Sequence, residues 1–182
     1  MVDLPEDVSC SMEDLIDIVR RSGCFLTARD EAEDDISDQT VVRFVHQSAK
    51  DYIVGKASSI VFDAGILAEH RRIGQKCIQR LREPGVLHKD VRGVKRLGAR
   101  RVEVDLAAIA TPLSAQTTYT CSFWAEHVIA SGQILCDHDS VHQFLQHYFL
   151  YWLEALGWMG RAHSAVSSLA RLQSQVDQAS AR

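Results

Sequence analysis

The sequence predicts a mainly α fold carrying one β-hairpin, and three observations lead there. Apolar residues recur at helical spacing over most of the chain, most clearly after residue 66. Only two runs are rich in β-formers, and a polar stretch separates them. With 10 Gly and 3 Pro in 182 residues, turn-formers make up roughly 7% against a usual ~12%, which favours long helices over loops.

In chain order, Met12, Leu15, Ile16 and Val19 form one stripe and predict a helix from about Ser11 to Ser22, with Gly23 as its stop. Residues 24–29 and 40–45 read as strands. The acidic residues between them, from Asp30 to Asp38, read as the solvated tip of a hairpin. A short helix follows from about Ser48 to Val54, ended by Gly55. Ile66, Ile73, Cys77 and Leu81 line the next helix, and Pro84-Gly85 closes it. Residues 86–101 are basic and weakly periodic, and 102–110 read equally as helix or strand. Thr111-Pro112 reads as a helix start, since proline suits the first helical position. Leu113, Thr117, Thr120, Trp124 and Val128 then share one face. Asp139 or Ser140 caps the strongest helix, whose stripe is Val141, Phe144, Leu145, Tyr148, Trp152 and Leu156. The last helix, about 161–178, is poor in large side chains and reads as peripheral.

A helix feeding a two-stranded wing looks like the C-terminal part of a winged helix. The three-helix core that normally precedes such a wing is largely missing. The expected domains are a partial winged helix at 1–58 and a helical array at 59–182. The aromatic run 148–152 suggests burial between two layers, or against a missing neighbouring domain.

Composition and charge narrow the function. No run of ~18 apolar residues occurs, and the acidic start differs from the basic, then apolar start of a signal peptide, so a cytoplasmic chain with no membrane partner is expected. The five cysteines, at 10, 24, 77, 121 and 136, contain no CxxC pair, which supports neither a disulfide frame nor a zinc ribbon. Net charge is −4, with 5 basic and 12 acidic residues in 1–50 against 15 and 12 in 51–182. The basic residues Lys89, Arg92, Lys95, Arg96, Arg100 and Arg101 suggest phosphate contacts. No aromatic lies among them for base stacking, however, and the acidic wing tip would repel DNA, so nucleic acid is not expected as a partner. Cys136, His138, His142 and His147 invite a metal reading, but two turns of one helix supply two ligands at most, and no metal is expected. The sequence contains no GxxxxGK[ST], GxSxG or HExxH, and no paired carboxylates in an apolar setting, so it offers no catalytic residues.

The strings LPEDVS, GCFLTARD, VRFVHQSAKDYI, TPLSAQTTYTCSFWAEHV and VHQFLQHYFLYWLEALGWMGR, in this order, resemble the fungal NACHT-type, NLR-like signalling ATPases of the STAND class. These include the vegetative incompatibility proteins, many of which carry C-terminal WD40 repeats. The resemblance runs from about Leu4 to Leu172. It implies a non-catalytic regulatory segment that follows the nucleotide-binding core and couples the ADP/ATP switch to a downstream sensor. The implied partners are an upstream NACHT domain and downstream sensor repeats, with homo-oligomerisation on activation left open. No cofactor is implied within these residues themselves. His46 stands where related proteins place a histidine facing the β-phosphate of ADP, so the resemblance implies a phosphate contact for it in the full-length protein. A following aspartate in plant relatives is Gln47 here. The competing reading is a stand-alone winged-helix nucleic-acid-binding or adaptor protein.

Overall fold

The structure is a computed structural model and describes residues 12–23, 25–29, 41–95, 101–104 and 113–180. Among these it is mainly helical with one two-stranded antiparallel hairpin, the fold class expected from the sequence. The chain divides into two compact units, Met1–Asp63 and Ala64–Arg182.

In the first unit, helix α1 (Met12–Arg21) carries an Asp17–Arg21 ion pair at 2.8 Å. Past its end, the Ser22 hydroxyl donates to Val19 O and accepts from Leu26 N, which ties the helix to the start of strand β1 (Leu26–Arg29). Strand β2 (Val41–Phe44) pairs with β1 in the register Leu26 to Phe44 and Arg29 to Val41. The acidic tip at 30–40 lies outside the described residues. Helix α2 (Gln47–Val54) follows directly, and Phe25 stacks on its Tyr52 with ring centroids 6.2 Å apart. A Cβ at Gly55 would meet Asp51 O at 2.8 Å, so the turn out of α2 needs a residue without one. A four-residue helix, α3 (Ser58–Val61), was not evident from the sequence, because one turn is too short to show a period. Among the described side chains of this unit only Ala57 is buried.

In the second unit, α4 (Ile66–Leu81) and α5 (Ala115–Ala130) form the most extensive helix pair. A Cβ on Gly74 would meet Val128 N and Cγ2 at 3.3 Å, so this glycine lets the two helices approach closely. Helix α5 starts later than expected. Ser114 is its cap, accepting from Thr117 N at 3.1 Å, while Thr111 and Pro112 lie outside the described residues. Thr117, Thr120, Trp124 and Val128 are buried, as their spacing predicts.

Helix α6 (Ser140–Trp158) is capped by Asp139, whose Oδ1 accepts from His142 N at 2.8 Å. Its Phe144 and Trp152 meet Trp124 edge to face at 5.1 and 5.4 Å, and Trp152 Nε1 donates to Cys121 O at 2.8 Å. The aromatic run does not bury all round: Leu150 is 73% exposed, because residue 150 lies on the side of the helix opposite Trp152. Helix α7 (Ala162–Ser180) is less peripheral than expected. Ala165, Ser168 and Leu172 are buried, and these small residues seat α7 against α5 and α6. A 3-10 turn at Arg101–Glu103 accounts for the described start of the ambiguous stretch.

Candidate functional site

His46 is the residue the resemblance singles out, and the fold places it at the junction of β2 and α2. Its extended backbone (φ −147°, ψ 150°) makes it the N-cap of α2. Ser48 N donates to His46 Nδ1 at 3.1 Å, and Ser48 Oγ lies 2.8 Å from the same nitrogen. A nitrogen that accepts from a backbone N–H carries no hydrogen, so the ring is fixed as the neutral Nε2–H tautomer. Ala49 N donates to His46 O at 3.0 Å. The first-turn amides of Ser48 and Ala49 are thus already engaged, while the exposed His46 Nε2–H points away from the cap bond as a donor at this corner. Gln47 takes no part in it: its amide donates to Asp51 Oδ1 at 2.8 Å, bracing the outer face of α2. The capping role was not foreseen, because histidine is not among the residues that usually cap helices.

Around this corner, Phe25, Val42, Phe44, Val45, Tyr52 and Val54 are all exposed. The described part of the unit covers them only in part.

The other sequence candidates resolve into structural roles. His142 Nδ1 accepts from His138 N at 2.8 Å, and the two rings stack at 5.5 Å. His147 Nδ1 lies 2.8 Å from Gln143 O, which makes it a donor within its own helix. Cys136 N donates to Asp139 Oδ2 at 3.1 Å. No group of three metal-type ligands converges among the described residues.

Within the basic stretch, Asp90 organises the loop. Its Oδ1 and Oδ2 accept from Val94 N and Lys95 N, both at 2.8 Å, and its own N–H donates to Glu154 Oε2 at 3.3 Å. Val91 is buried beneath it. Arg96 and Arg100 lie outside the described residues, and Arg101 packs its guanidinium against Gly160. The buried thiols of Cys77 and Cys121 are pushed up to about 11 and about 12 by loss of water, which makes them poor nucleophiles.

The chain is similar to the vegetative incompatibility protein HET-E-1 of Podospora anserina, with 29% identity over 195 residues. The match covers 96% of this chain and 13% of that protein. It relates the chain to proteins of that kind, and the chain spans only a small part of its relative's length. No family model matches the chain, and no solved structure matches it. No described helix is long and apolar enough to cross a membrane.

Proposed function

We propose that this chain is a cytoplasmic, non-catalytic regulatory segment of a fungal NLR-like signal-transduction ATPase. In this reading residues 1–58 are the end of a winged-helix domain, and 59–182 form a helical linker that couples an upstream NACHT nucleotide switch to downstream sensor repeats. The observation that carries the reading is the similarity along 96% of this chain to 13% of a vegetative incompatibility protein. A segment of a larger machine is also expected to present uncovered apolar side chains where the rest of the protein docks. Phe25, Phe44, Val45 and Tyr52 do so.

Mechanically, His46 would contribute its Nε2–H to a phosphate oxygen of ADP while Nδ1 keeps the α2 cap. The neutral ring performs both tasks at once. Protonation of Nδ1 would cost the cap, so nucleotide contact and the α2 start are coupled through one imidazole. A hydrogen bond to a charged group contributes about 1.5–3 kcal/mol, so its loss weakens ADP binding on the order of 10–150-fold.

Replacing the matching segment of the Podospora protein with this chain tests the reading. The chimera should retain the incompatibility response, and a folded but silent chimera would reject the assignment. Within an active chimera, His46→Asn keeps a good helix cap but cannot reach the phosphate, so ADP affinity should fall as far as in His46→Ala. Full affinity in His46→Asn would reduce His46 to a cap. Salt-sensitive binding of random duplex DNA by the chain alone would instead favour a nucleic-acid-binding protein.

A further inference from the structure

Where α4 and α5 run closest, beside Gly74, two histidines 57 residues apart in sequence face each other. His70 Nδ1 and His127 Nδ1 are 2.9 Å apart, and their rings are tilted at 41°. The second nitrogen of His127 lies 2.8 Å from Tyr119 Oη. Two imidazole nitrogens at this distance are bridged by a single hydrogen. If both carried one, two N–H groups would point at each other with no acceptor between them.

We propose that His70, His127 and Tyr119 form a proton-operated latch across the α4–α5 seam, closed by one hydrogen shared between the two Nδ1 atoms and opened when both rings are protonated. In the neutral closed state, His127 Nδ1–H donates to His70 Nδ1, His70 keeps its hydrogen on Nε2, and Tyr119 O–H donates to His127 Nε2. The first proton taken from solvent fits without a break. It adds to His127 Nε2 while the bridging hydrogen passes to His70 Nδ1, so the charge rests on His70, and the tyrosine hydroxyl turns so that its oxygen accepts. The second proton has only His127 Nδ1 to occupy, the atom that now accepts the bridge. Adding it removes the N–H···N bond and sets two positive charges face to face.

The surroundings support this sequence. Loss of water on burial, then the neighbouring His70, holds His127 below its ordinary value of 6.5, and the Glu126 carboxylate opposes them. Glu126 is itself held by Arg171 of α7 through two bonds of 2.5 and 2.6 Å, which spends much of its charge elsewhere. On α4, Glu69 beside His70 is engaged by Arg72 at 2.7 Å. Tyr119 and Cys77, both raised, stay uncharged. Because the folded value of His127 lies below its unfolded value, the unfolded chain takes up the proton first as pH falls. The full stability is therefore present above about pH 6.5. It declines through the window below, by up to about tenfold in the folding equilibrium per pH unit for one proton.

The test is an imidazole nitrogen NMR titration of the full chain, beside the rate at which a disulfide reagent active in acid modifies Cys77, which is buried on α4. At pH 7.5 one ring of the pair should carry hydrogen on Nδ1 and the other on Nε2 alone. His127 should titrate below 6.5 and move upward in His70→Gln, and Cys77 should become accessible only once both rings are charged. Two independent titrations with Nε2–H on both rings would overturn the latch, even if the Gln variant failed to fold. Double protonation that leaves Cys77 protected would overturn it equally.

Discussion

In residues 64–182, Trp124, Phe144 and Trp152 meet edge to face within 5.4 Å and are sealed from solvent. In residues 1–63, Phe25 and Tyr52 stack at 6.2 Å with both rings open, and Ala57 is the one buried side chain among those described. Both regions contain regular elements, helices in each and a paired hairpin in the first. What separates them is closure. Local patterning suffices to define a helix or a hairpin, but stability comes from the second surface that each apolar face meets. Among its described residues the first unit shows such faces with little packed against them.

Core truncation should show the contrast at its largest. Trp152→Ala removes the edge-to-face contact with Trp124 and the donor to Cys121 O, and should cost about 3–5 kcal/mol in a denaturant titration. A cost below 1 kcal/mol would mean that the aromatic cluster is not the centre of the second unit. Gly74→Val tests the helix seam instead. Its side chain would have to displace Val128, so a loss of about 1–3 kcal/mol is expected from the same titration. Asp139→Ala removes the acceptor for both His142 N and Cys136 N and should cost about 0.5–2 kcal/mol.

Most of the elements these variants probe were readable from the sequence. The α4, α5 and α6 stripes, the α1 helix and the hairpin all followed from spacing, because amphipathic period is a local property. What escaped was either too short or too distant in sequence. Helix α3 has a single turn. The contribution of α7 rests on Ala165 and Ser168, small residues that carry no hydrophobic signal yet permit close packing. The exposed Leu150 shows that an unbroken apolar run does not reveal which member faces outward. Asp90, an acidic residue within the basic stretch, holds that loop together through two backbone amides, a role that its spacing does not reveal.

The candidate sites divide in the same way. His46 was found through resemblance, but its capping geometry needed coordinates. The pairing of His70 with His127 is a tertiary event. Its one trace in the sequence is Gly74, since a glycine inside a strong helical pattern marks a close approach without naming what approaches.

The smallest effect belongs to the first unit. Phe25→Ala should change stability by no more than about 0.5 kcal/mol, because its ring already meets solvent. A cost like that of Trp152→Ala would show that the ring is buried in solution.

Amide hydrogen exchange on the intact chain tests the contrast most directly, because it reports local opening throughout one sample. Residues 142–156 of α6 should exchange only through opening of the whole second unit. Residues 12–20 of α1 and 41–45 of β2 should exchange far faster, through local opening of a region whose described side chains are mostly exposed. Equal protection in all three segments would contradict the account and make the first unit as self-sufficient as the second.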